Sequence, residues 1–130
     1  MIFISNNHPF LRISRRETFR TIHSVLQEES SLSLVLSVVF VGSRYIRKMN
    51  RQFLNHDYIT DVIAFPFDDG MGIDGEVYIN LDRAKTQARE YGVVFLEEVR
   101  RLLIHGTLHL LGYSDATART KARMKKKEDY

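Results

Sequence analysis

Hydrophobic and polar positions follow two different periods along the chain, and the switches between them mark out the elements. Ile2–Ser5 alternates and reads as a short strand. Ser14-Arg15-Arg16-Glu17 has the form of a capping box, in which the serine oxygen accepts a backbone N–H three residues on and the glutamate reaches back. The helix it opens carries Phe19, Ile22, Val25 and Leu26 on an apolar stripe, so all four are expected in the core. Leu34–Val41 is a β-branched run ended by Gly42, apolar on both faces, and reads as an internal strand. From about Arg44 to Phe53 the period is helical again, with Ile46, Met49 and Phe53 inward.

Asp61–Phe67 reads as a strand, and Pro66 assigns it to an edge or to a strand end, because proline donates nothing to a ladder. Asp68–Asp74 carries Gly70 and Gly72 and is expected to be a loop, followed by a strand over Gly75–Asn80 that forms a hairpin with the first or lies beside it. Asp82–Tyr91 is a helix stopped by Gly92. Phe95–Leu111 is the longest helix, and from Leu102 onward it is apolar nearly all round, the mark of a buried central helix. Gly112 ends it, and a short basic helix containing Met124 is expected from about Thr117. The sum is an α/β (α+β) fold, a mixed sheet of about four strands packed with about five helices, in one domain spanning residues 1–130.

Composition narrows the chemistry. The chain has no cysteine, which excludes disulfides, zinc ribbons, iron–sulfur clusters and a thiol nucleophile. Any metal must therefore rest on His, Asp or Glu. No apolar run is long enough for a membrane span. The first residues lack the basic and apolar regions of a secretory signal, and the expected location is the cytoplasm. Net charge is only +3, so its distribution matters more than its size. Arg44, Arg47, Lys48 and Arg51 fall on one helical face, and Arg119, Lys121, Arg123, Lys125, Lys126 and Lys127 crowd the tail. Each segment is either a solvated surface or a contact for a phosphate-bearing partner.

The central helix carries His105-Gly106-Thr107-Leu108-His109, and Asp115 follows after Gly112. Histidines four apart on a helix have Cβ atoms about 5–6 Å apart, so both imidazoles can converge on one ion. A left-handed Gly112 would turn the chain and bring Asp115 beneath them. Two core histidines with backbone hydrogen bonds would share this spacing, but the glycine and the oxygen donor beyond it favour a metal. Three ligands with an open fourth position make a catalytic site, with zinc as the expected ion and another divalent transition metal as the alternative. Two histidines and a carboxylate also match the non-haem iron triad. Zincin peptidases keep a glutamate base directly after the first histidine; Gly106 stands there, so the metal must itself acidify the water, or a base must come from elsewhere, such as Glu76 or the substrate. His8, His23 and His56 have no ligand partner at a useful spacing, and His23 is expected to be a hydrogen-bonded residue bordering the core. Asp61 is expected to be a turn or cap residue and Tyr113 to pack under the turn.

At this point the chain resembles the YbeY-type endoribonucleases, the 16S ribosomal RNA maturation factors. Their signature HGxLHLxGYDH is matched by HGTLHLLGYSD, His105–Asp115, at seven of its nine specified positions. Thr60–Phe67, TDVIAFPF, is similar to the family's TDVLSFPF, and Gly75-Glu76-Val77 to its following strand. The resemblance implies a mixed α/β fold around one zinc held by His105 and His109, an RNA substrate on the small ribosomal subunit, and hydrolysis. The family's third ligand is a histidine where Asp115 stands, and Ser114 replaces its usual aspartate. Leu54 occupies the position of an arginine found in many members, with Arg51 as a candidate substitute. A zinc peptidase or amidase, and an assembly factor whose metal only holds the fold, are the competing functions.

Overall fold

The computed structural model describes residues 1–53, 59–67 and 72–113. Four strands and four helices form among them, in the order β1 (Ile2–Asn6), α1 (Arg15–Glu28), β2 (Leu36–Val41), α2 (Ser43–Phe53), β3 (Val62–Pro66), β4 (Gly75–Asn80), α3 (Leu81–Tyr91) and α4 (Phe95–Leu110). The basic helix expected from Thr117 lies outside the described residues, as do Leu54, His56, Ser114 and Asp115.

The sheet has the order β1-β2-β4-β3, parallel across the first three strands and antiparallel at the β3 edge. Hydrophobic patterning explains this order. β2 is buried at all six positions, as an interior strand with cover on both faces must be. β1 alternates, with Ile2 and Ile4 against the core and Phe3 and Ser5 outward. Pro66 ends β3 at the edge of the sheet, where a missing N–H costs nothing.

Helices α1, α3 and α4 cover one face, where Ile22, Leu26, Leu81, Ala84, Val99 and Leu102 meet Val38, Phe40, Val77 and Ile79. Among the described residues α2 covers the other, packing Ile46 and Met49 on Val39, Val41 and Ile63. Ser14 caps α1 by accepting the Glu17 N–H at 3.2 Å, but the Glu17 carboxylate lies 3.5 Å from Arg20 rather than reaching back. Asn80 ends β4 and caps α3, accepting from the Asp82 and Arg83 N–H groups. Gly92 stops α3 at φ 66°, a left-handed conformation glycine adopts without strain.

Two aromatic side chains expected inside are not. Phe19 is 45% exposed; it sits ~60° round the helix from Ile22 and stacks on His23 instead of meeting the sheet. Phe53 is 62% exposed at the last position of α2, where its ring meets Phe65 edge-on at 6.3 Å.

Candidate metal centre

α4 is buried along most of its length, with Leu102, Leu103, Ile104, Gly106, Thr107 and Leu108 all inside. His105 and His109 fall on its one half-open side. Their Nε2 atoms are 2.9 Å apart and their ring centroids 4.5 Å. Two Zn–N bonds of about 2.0–2.1 Å at a tetrahedral angle hold their nitrogens roughly 3.3 Å apart, so the pair needs to open by only a few tenths of an ångström. The donor set and its convergence therefore fit a divalent transition metal.

The backbone around the pair explains this placement. Gly106 faces β4 so closely that a Cβ would lie 2.6 Å from a Val77 methyl and 3.0 Å from a Val62 methyl. Leu110, next to His109, lies against Gly75 in the same way. Beyond the helix, Gly112 has φ 98° and its N–H donates to the His109 carbonyl at 3.1 Å, while the Tyr113 N–H donates to the Leu108 carbonyl at 3.0 Å. This is a Schellman turn, completed by the contact of Tyr113 with Leu108. Tyr113 packs as expected, and its hydroxyl donates to Glu29 at the end of α1. The turn stands two residues before Ser114-Asp115. Asp115 itself is outside the described residues, and among those described no cluster of three or more potential ligands forms.

Glu76 is not the base sought for this site. Val77 points to α4, so the strand's two-residue period sends Glu76 to the opposite face, with the β4 backbone between it and the histidines. There it accepts a hydrogen bond from Tyr78 at 3.3 Å. Burial, the Glu76 charge, that hydrogen bond and Tyr45 together push the Tyr78 phenol up to about 12.

Arg44, Arg47, Lys48 and Arg51 are all exposed along the outer side of α2. They stand on the sheet face opposite α4. Even so, the end of α2 approaches the histidines' end of the sheet, since Phe53 meets Phe65 and β3 pairs Pro66 with Gly75 beneath Leu110. Asp61 accepts from Gln87 at 3.3 Å and its carbonyl accepts the Asn80 N–H, which ties the start of β3 to α3 and β4.

Sequence reasoning missed His8. It is 3% exposed, and its Nε2 lies 2.8 Å from Asp82. Its Nδ1 accepts the N–H groups of Phe10 at 3.3 Å and Leu11 at 3.0 Å, so the proton sits on Nε2 and points at the carboxylate. Burial alone would raise the Asp82 carboxyl, but the His8 hydrogen bond, the Ser43 N–H and the Lys85 charge outweigh it and hold the group below its ordinary value. The one local hint was a histidine two residues past a strand; its partner lies 74 residues away.

The family model for the endoribonuclease YbeY matches residues 3–130. The chain belongs to the YbeY endoribonuclease family. The YbeY endoribonuclease of Chlorobaculum tepidum is 42% identical over 109 residues, covering 84% of this chain and 80% of the relative. That of Chlorobium limicola is 43% identical over 111 residues, covering 85% and 77%. A solution structure of a Thermotoga maritima protein matches with a TM-score of 0.65 at 26% identity, over 99% of this chain and 87% of that one. YbeY proteins are endoribonucleases, hydrolytic enzymes of RNA, so membership assigns this mixed α/β fold to nuclease chemistry. Among the described residues no helix is long and apolar enough to cross a membrane.

Proposed function

We propose that residues 1–130 form one metal-dependent endoribonuclease domain that acts in ribosomal RNA maturation. Its substrate is the 3′ end of 16S ribosomal RNA on the small ribosomal subunit, with a part in ribosome quality control, and it works in the cytoplasm. The convergence of the His105 and His109 Nε2 atoms at 2.9 Å, in a chain of this family, carries the proposal. Those two atoms and the Asp115 carboxylate would hold one zinc. A divalent ion bound there supplies Lewis-acid polarisation of a phosphoryl oxygen or of water.

The chain's own residues define the rest. Gly106 leaves no side chain beside His105 to take a proton, and its contact with Val77 leaves no room for one. This counts against the peptidase alternative, which needs a glutamate at that position. The proton acceptor is then a phosphoryl oxygen of the substrate or a residue beyond α4. Arg44, Arg47, Lys48 and Arg51 offer a row of cations to successive phosphates, and each neutralised phosphate releases counterions.

Purified protein incubated with a precursor carrying the 16S 3′ end is the test. Cleavage should require a divalent transition metal, stop with a chelator and disappear in His109→Ala. Intact RNA after incubation with zinc-loaded protein, or cleavage undiminished in His109→Ala, would overturn the assignment.

A further inference from the structure

β1, β2 and β4 run parallel, but the chain leaves their carboxyl ends towards different faces. After β1 it enters α1 and after β4 it enters α3, both on the α4 face, whereas after β2 it enters α2 on the other. Neighbouring parallel strands whose connections part in this way leave a crevice outside their carboxyl ends, where open α/β sheets bind ligands. The crevice here is a groove of about 360 Å³ whose lining includes Phe10 from the exit of β1, Arg44, Tyr45 and Lys48 from that of β2, and His8 and Asp82. It opens at the end of the sheet opposite the histidines. Val77, which Gly106 faces between the histidines, lies three residues before the carboxyl end of β4, ~10 Å at the usual rise per residue.

Its surfaces suit a planar ring joined to an anion. Phe10 is 71% exposed, yet its ring is held edge-on against His8 at 4.8 Å. His8 is itself fixed by Asp82 and by the N–H groups of Phe10 and Leu11. Tyr45 is 44% exposed and stacks on Tyr78. Arg44 and Lys48 are exposed and carry no carboxylate partner among the described residues. An acidic peptide would use the cations and leave the rings; an apolar peptide would use the rings and leave the cations. A nucleotide engages both.

We propose that this groove binds an unpaired nucleotide of the RNA substrate, its base on Phe10 and Tyr45 and its phosphates on Arg44 and Lys48. The inference rests on the endoribonuclease assignment and adds a second point of contact, remote from the histidines. Base–aromatic stacking tolerates any base, because every base has a π-face, so the groove would anchor single strand without reading its sequence.

Fluorescence anisotropy with an uncleavable single-stranded oligoribonucleotide tests this on the full chain. Phe10→Leu and Tyr45→Leu should each weaken binding by about tenfold, the order of one lost stacking contact. Tyr45→Phe should bind as the parent does. Thermal unfolding of Phe10→Leu should match the parent, which separates a lost contact from a damaged fold. Unchanged affinity in both leucine variants, with RNA cleavage intact, overturns the groove and leaves the endoribonuclease assignment standing. A parent protein that neither binds nor cleaves RNA overturns both. Adenosine monophosphate bound as tightly as the oligomer would mark a free-nucleotide site and overturn the RNA assignment of the groove.

Discussion

Gly106 of α4 and Val77 of β4 approach so closely that a methyl group on the glycine would come within 2.6 Å of a valine methyl. The contact seats the histidine helix on the sheet, one residue after His105. It also makes the position next to the first histidine a packing position rather than a catalytic one.

Gly106→Ala should therefore cost about 1–3 kcal/mol, the usual penalty of overpacking a core. Because the added methyl pushes α4 off β4 between the two histidines, metal affinity should fall as well. Val77→Ala in the same chain should restore part of both losses by making room. Chemical denaturation and metal titration of the single and double variants read this out. Strictly additive losses would mean that the two residues do not oppose each other.

The metal set gives a second expectation, resting on the Nε2 convergence and on the turn at Gly112. Elemental analysis should find about one zinc per chain, lost in His105→Ala and in His109→Ala. Asp115→Ala should lose most of it and Asp115→His should keep it, since imidazole and carboxylate are both zinc donors. If Asp115→Ala holds zinc as tightly as the parent, the third donor is another residue.

The cation row on α2 sets the salt dependence. RNA affinity should fall with salt on a log–log plot, with a slope of about −0.7 per phosphate contact on single strand. Replacing Arg47 and Arg51 together by alanine should flatten that slope by roughly one to two units and leave the zinc content unchanged. A double variant with the parent's slope would leave the row as a solvated helix face.

His8 and Asp82 give a pH expectation. The Asp82 carboxyl is held below its ordinary value, so it favours the folded chain wherever the unfolded chain's carboxyl is ionised. That contribution is complete above about pH 4 and is lost as pH falls through the lower folded value. Asp82→Asn should then be less stable than the parent near neutrality and converge with it in strong acid. Urea denaturation across pH checks this; a gap of constant size at every pH would mean that the carboxylate's charge contributes nothing.

The chain's local patterns determined most of the elements and half of the site. All eight elements sit within a few residues of where hydrophobic period, Ser14, Gly92 and Gly112 set them, because helix and strand periodicity and glycine's left-handed freedom act over a handful of residues. The convergence of His105 and His109 was legible for the same reason, four residues on one helix being a local geometry. Tertiary structure alone decided which face each strand residue took. It turned Glu76 away from the histidines and left Phe19 and Phe53 outside. It also joined His8 to Asp82 across 74 residues and buried Glu98 against Gln87 and Arg101. The pairing of His8 with Asp82 follows from the strand order β1-β2-β4-β3, which brings distant segments together by crossovers. Spacing along the chain carries no record of which strands become neighbours, since that choice rests on burying the two faces of the whole sheet at once.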